Sequence, residues 1–197
     1  MQEQQPTSPS FEGTSRPLLA GLLAIQAFLG YEWLMSGLAK ALDGNFVTGL
    51  GGALADSTQG VSGIYRSFLD GVVMPNAQAF AYLVMFGELA IGTVLIAVAV
   101  IWWFRWQKLS VRGRYALLGL IVLAGAFGIF MNVNFHIASG ATHPWLIAAD
   151  PFDEGIDLDS VMPLIQLAIS IVSASFLLQV RAANRRAAVA SMARATA

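Results

Sequence analysis

The chain has 197 residues, 56% of them hydrophobic and 12% charged, with a mean hydropathy of +0.65, which is too apolar for an ordinary soluble domain and fits a membrane protein. A net charge of -1, with no basic block resembling a nucleic-acid patch, excludes general attraction to nucleic acid. The absence of cysteine excludes disulfides, a thiol nucleophile and cysteine-held iron–sulfur or zinc centres in this chain.

In chain order, residues 1–16 are rich in Gln, Pro, Ser and Thr and read as a disordered cytoplasmic tail. Residues 17–42, PLLAGLLAIQAFLGYEWLMSGLAKAL, are long enough to span the bilayer as an uncleaved helix, and Gln26, Glu32 and Ser36 interrupt them. The segment 44–76 has several glycines and no spanning run. Its apolar residues, among them Phe46, Leu50, Leu54, Tyr65, Phe68 and Val73, recur at helical spacing, which predicts short amphipathic helices on the bilayer surface or capping the bundle.

A second span is predicted over 80–103, FAYLVMFGELAIGTVLIAVAVIWW. Its one charged residue is Glu88, which is costly in hydrocarbon unless neutralised or paired. The short loop RWQKLSVRGRY leads to a third span over 115–137, where Gly119, Gly125 and Gly128 offer surfaces for close helix contact. An acidic loop with His143, Asp150, Asp153, Glu154 and Asp157 precedes the fourth span, 161–180, for which Asp159 or Ser160 is an N-cap candidate with Pro163 in the first turn. The loop's acids do not follow the order of a calcium-binding EF-hand loop, so it reads as a solvated loop, and no haem or other metal site is predicted. Residues 181–197 form a basic tail.

Lys and Arg concentrate in the 105–114 loop and near the termini, which places both termini and that loop in the cytoplasm of a cell membrane. The fold class expected is all-α: an antiparallel integral membrane four-helix bundle with amphipathic surface helices in the first outer loop. Trp102, Trp103, Trp106 and Tyr115 would form its inner interfacial belt.

Counting from the outer ends at about 1.5 Å per residue puts Glu32 and Glu88 at one depth, on helices adjacent in sequence. Two acids there cannot both ionise cheaply, so if they meet they share a proton and are candidates for proton transfer. Alternatively each acid bonds separately to a partner such as Ser36, Gln26, Tyr31 or Gln166. Nearer the outer end, Lys40 and the four-apart pair Asn132 and His136 are candidate donors to a carbonyl or anion. A lysine at that position also fits simple snorkelling to the interface.

Three stretches, GYEWLMSGLAK (30–40), FGELAIGTVLIAV (86–98) and MNVNFHIASG (131–140), together resemble the landmarks of the DoxX family of small four-helix membrane proteins. That family includes a DoxD-like subunit of thiosulfate:quinone oxidoreductase. The resemblance extends from the first span through the fourth and implies roles for Gly37, Lys40, Gly87, Glu88, Asn132 and Asn134. Many relatives have an arginine early in the first span where this chain has Gln26, which removes one possible counter-ion for the acids. The acidic outer loop is a second departure.

The function so implied is a membrane subunit of a quinone-linked oxidoreductase, with quinone as the cofactor, Glu32 and Glu88 exchanging protons, and Lys40, Asn132 and His136 binding. Electrons would come from a sulfur compound such as thiosulfate or from membrane or periplasmic partner subunits. The alternative is a non-catalytic accessory subunit of a larger membrane complex. A transporter is a third reading, disfavoured by the lack of internal repeats.

Overall fold

The computed structural model describes residues 16–57, 61–139 and 158–195. The expectations for the N-terminal tail, and for His143, Asp150, Asp153, Glu154 and Asp157, fall outside those residues. The described chain is all-helical. It runs α1 (Arg16–Asp43), α2 (Phe46–Ser57), α3 (Gly63–Phe68), α4 (Ala77–Arg105), α5 (Val111–Ala138) and α6 (Leu158–Ala195). Four of these, α1, α4, α5 and α6, contain windows long and apolar enough to cross a membrane. The protein is a multi-pass membrane helical bundle that contacts the lipid bilayer.

Between α1 and α4 the chain caps one end of the bundle. Gly44 and Gly63 both take φ of 70°, a backbone region open to glycine, and each sits just before or at the start of a short helix. From Gly63 the backbone stays helical through a π turn at Leu69–Val73 and a 3-10 turn at Met74–Asn76, so α3 leads almost without interruption into α4. At the other end, a 3-10 turn at Trp106–Lys108 joins α4 to α5. There the Ser110 hydroxyl accepts from the Gly113 N–H at 3.2 Å and caps α5.

Glycine fixes how the long helices meet. A Cβ on Gly92 would come within 2.5 Å of Leu34 N and 2.7 Å of Gly30 O, and one on Gly37 within 2.9 Å of Leu89 N. α1 and α4 therefore touch backbone to backbone, as membrane helices do at small residues. On the other side of the bundle, Gly125 lies against Ser170 and Gly128 against Gln166, which locks α5 to α6. Among the described residues nothing lies within 4 Å of where a Cβ on Gly119 would sit, so no close helix approach depends on that glycine, which corrects the expectation for that residue. α4 and α5 join the two pairs, with Gly87 set against Met131 and Phe127.

Two boundaries differ from expectation. α6 starts at Leu158, so Pro163 lies inside the helix rather than in its first turn, and the side chains of Asp159 and Ser160 are outside the described set. The helix also runs on to Ala195 through the segment expected as a tail. The sequence RAANRRAAVASMARA is dominated by alanine and arginine, two of the best helix formers, so an exposed continuation is favoured.

The aromatic belt is corrected as well. Trp103 is exposed, but Trp102 and Trp106 are buried. They stack at 4.4 Å between ring centroids, and Phe176 meets Trp102 edge-on at 5.4 Å. With Leu118, Ile121 and Val180 these rings fill that end of the bundle.

Candidate functional site

The opposite end is hollow. A cavity of about 570 Å³ lies beneath α2 and α3, lined from α1 by Glu32, Trp33, Ser36 and Lys40 and from α4 by Leu83 and Glu88. Phe127, Phe130, Asn132 and Asn134 of α5 and Met162 of α6 complete its walls, and Phe46, Leu50, Tyr65 and Phe68 form the roof.

Among the described residues Glu88 is the most deeply buried acid, with 1% of its surface exposed. Its Oε2 lies 2.8 Å from Lys40 Nζ, an ion pair linking α4 to α1. Lys40 also donates to Ser36 Oγ at 2.8 Å, and its ammonium stands 5.6 Å from the centre of the Phe46 ring. Lysine at a helix end can reach back along its own helix, and the i, i+4 spacing places Ser36 beside its stem. A carboxylate in hydrocarbon needs such a partner, since removing charge from water is offset only by close pairing and hydrogen bonds. Lys40 thus supplies a counter-ion for Glu88. Gln26 donates to the Leu95 carbonyl at 2.9 Å.

The register of α1 against α4 revises the depth of the two acids. Gly30 lies beside Leu95 and Ile96, Leu34 beside Gly92, and Gly37 beside Leu89. Glu88 therefore sits level with Leu38, about six residues or roughly 9 Å along the axis from the level of Glu32. The expected common level came from counting inward from span ends, whereas glycine contacts set the actual alignment. Glu32 is half-buried and lines the same cavity, so the two acids face one space at different depths.

Asn132 is buried, lines the cavity and donates to Gln166 Oε1 at 3.4 Å. His136 is buried on the same helix but is not among the residues lining the cavity. Of the three expected donors, the structure brings Lys40 and Asn132 to one cavity and leaves His136 beside it. Tyr65 and Trp33 were not anticipated. The Tyr65 hydroxyl lies 3.1 Å from Asn134 Oδ1 and 3.2 Å from the Asn134 carbonyl, tying the roof to α5, and Ser57 adds a hydroxyl contact to the Ala138 carbonyl at 3.3 Å. Trp33 is buried in the wall, and its indole N–H has no hydrogen-bond partner among the described residues. The one sequence signal for Tyr65 was its place among the apolar residues of the capping segment.

Phe130 lines the cavity yet is 61% exposed, and Leu83 and Phe127 are exposed as well. The wall between α4 and α5 is therefore also part of the bundle's outer, lipid-facing surface. Chemically, the cavity offers a donor ammonium, a buried carboxylate, a second carboxylate, a free indole N–H and an aromatic lining. This set suits a flat, largely apolar molecule with polar oxygens. Among the described residues no group of three or more His, Asp or Glu side chains is placed to hold a metal ion. Comparison with known proteins finds no family model, curated protein or solved structure that matches this chain.

Proposed function

We propose that this chain is the membrane subunit of a quinone-linked oxidoreductase of the DoxX type, and that the cavity receives the quinone ring. The observation that carries the reading is the Lys40–Glu88 pair, 2.8 Å apart on the wall of an aromatic cavity of about 570 Å³. An ammonium donor beside a quinone carbonyl stabilises the negative charge that develops there on reduction. Two-electron reduction to the quinol also takes up two protons, and Glu88 and Glu32 open onto the same space. The exposed Leu83, Phe127 and Phe130 give a lipid-soluble ring a short path from the bilayer. Electrons are supplied from outside the chain, by a sulfur compound such as thiosulfate or by a partner subunit. The resemblance carried by 30–40, 86–98 and 131–140 supports the same assignment, and the bias of Lys and Arg supports cytoplasmic termini.

A second reading, a non-catalytic accessory subunit, is favoured by the mutual pairing of Lys40 with Glu88, Asn132 with Gln166 and Gln26 with the Leu95 carbonyl. Substituting Glu88→Gln separates the two. Under the redox reading, donor-dependent quinone reduction falls by about 10²-fold or more, the scale of losing a positioned acid–base group, while the complex stays assembled. Unchanged activity would sink the redox reading, and loss of assembly would favour the accessory one.

A further inference from the structure

The filled end of the bundle carries a charge pattern that the cavity does not use. No Asp or Glu occurs between Glu88 and Asp150 or after Asp159, yet Arg105, Lys108, Arg112, Arg114, Arg181, Arg185, Arg186 and Arg194 all fall in those stretches. The α5–α6 register, set by Gly125 against Ser170 and Gly128 against Gln166, brings Arg114 level with Arg181. The Arg114 guanidinium stands 5.3 Å from the Trp106 ring, and its buried Nε has no hydrogen-bond partner among the described residues.

Beyond Val180, the last buried residue of α6, the helix projects about 15 residues, or roughly 22 Å. One face of this projection carries Leu178, Arg181, Ala182, Arg185, Val189 and Met192, at spacings of three and four. Leu178, Val189 and Met192 are exposed. The first four of these residues border one open, shallow stretch of the helix surface. Arginines four apart on a helix repel each other, and among the described residues neither Arg181 nor Arg185 forms a salt bridge that would relieve this. Apolar and guanidinium groups on a single face are suited to contact at the level of lipid headgroups, with stems in the apolar layer and charges among phosphates.

We propose that this face is a binding site for an anionic phospholipid, with Arg181 and Arg185 clasping the phosphate and Leu178 and Ala182 seating the glycerol and the start of an acyl chain. Guanidinium matches phosphate geometry in forked pairs, and each basic group near an anionic leaflet adds to the attraction. The site is independent of what occupies the cavity.

The test uses the full chain purified in mild detergent. Native mass spectrometry counts retained lipid, and thermal unfolding is followed as phosphatidylglycerol, phosphatidylcholine or inorganic phosphate is added. The expected result is selective retention of phosphatidylglycerol that falls as sodium chloride is raised, with binding weakened about tenfold or more in R181Q/R185Q. R194Q, farther along the helix and off that face, weakens it less than about twofold. All three arginines are exposed, so these variants retain the bundle. Retention that ignores salt, equal retention of phosphatidylcholine, or an unaffected double variant overturns the site. Equal loss in R194Q reduces the effect to diffuse charge and also overturns it. A matching shift with inorganic phosphate overturns the lipid assignment in favour of a soluble anion.

Discussion

Around Trp102 the bundle is filled by rings, Trp106 stacked on it and Phe176 edge-on, whereas between Lys40 and Asn132, near its other end, a cavity of about 570 Å³ is left. Both ends are built from the same four helices, so helix number and length do not account for the difference. At the filled end, large side chains interdigitate across α4, α5 and α6. Helices in lipid gain little from hydrophobicity and depend on such contacts. At the hollow end the polar groups Glu88, Lys40 and Asn132 point inward, and α2 and α3 close the top through Tyr65 and Ser57. The filled end supports stability and the hollow end has room for chemistry.

The sharpest way to break that comparison is at the filled end. Trp102→Ala should lower unfolding free energy by about 3–5 kcal/mol, since it deletes a large buried ring and its stacking partner contacts. Denaturant unfolding in detergent measures this, and a loss below about 1 kcal/mol would show that the rings are not closely packed.

At the hollow end, Lys40→Met strands the buried Glu88. The expected cost is about 2–3 kcal/mol, below the range for a fully buried pair because the Lys40 side chain is 24% exposed. Adding Glu88→Met should recover most of it, and a double-mutant cycle reads the coupling. If the double variant is as unstable as the sum of the singles, the pair contributes nothing.

Phe130→Ala should have the smallest effect on stability, under about 1 kcal/mol, because much of the ring is exposed on the outer surface. The same change widens the wall between α4 and α5 and should alter the chain-length preference of any quinone that binds there. Identical preferences in the variant and the unmodified chain would show that this wall is not the way in.

The bundle itself was legible because its signals are long and local. Four apolar runs over 17–42, 80–103, 115–137 and 161–180 each lie within a helix of the structure, and the spacing of Phe46, Leu50, Tyr65 and Phe68 announced the helical cap. The helical end of α6 was not legible because the 181–195 stretch carries four arginines and only Val189 and Met192 as large apolar residues, too few to read as a span, while its alanines and arginines favour helix whether or not it is buried. Trp102 and Trp106 were misread because tryptophan near a span end commonly marks an interface. Whether a given ring points to lipid or to its neighbours depends on helix rotation, which periodicity in a nearly uniform apolar run does not reveal.

The amino-acid sequence by itself determined that this is a multi-pass helical membrane protein and that Glu88 needs a partner, because the bilayer imposes a length on each span and a cost on each charge. It also brought Lys40, Asn132 and Glu32 forward as polar groups within spans. Only the tertiary structure decided that Lys40 is that partner, that Glu32 and Glu88 face one cavity from different depths, and that His136 lies beside it. Backbone contact at Gly30, Gly37 and Gly92 sets the sliding register of α1 on α4, and a shift of one turn would have paired different side chains. Such contacts join residues more than fifty positions apart in the chain, where no local pattern records which glycine meets which helix.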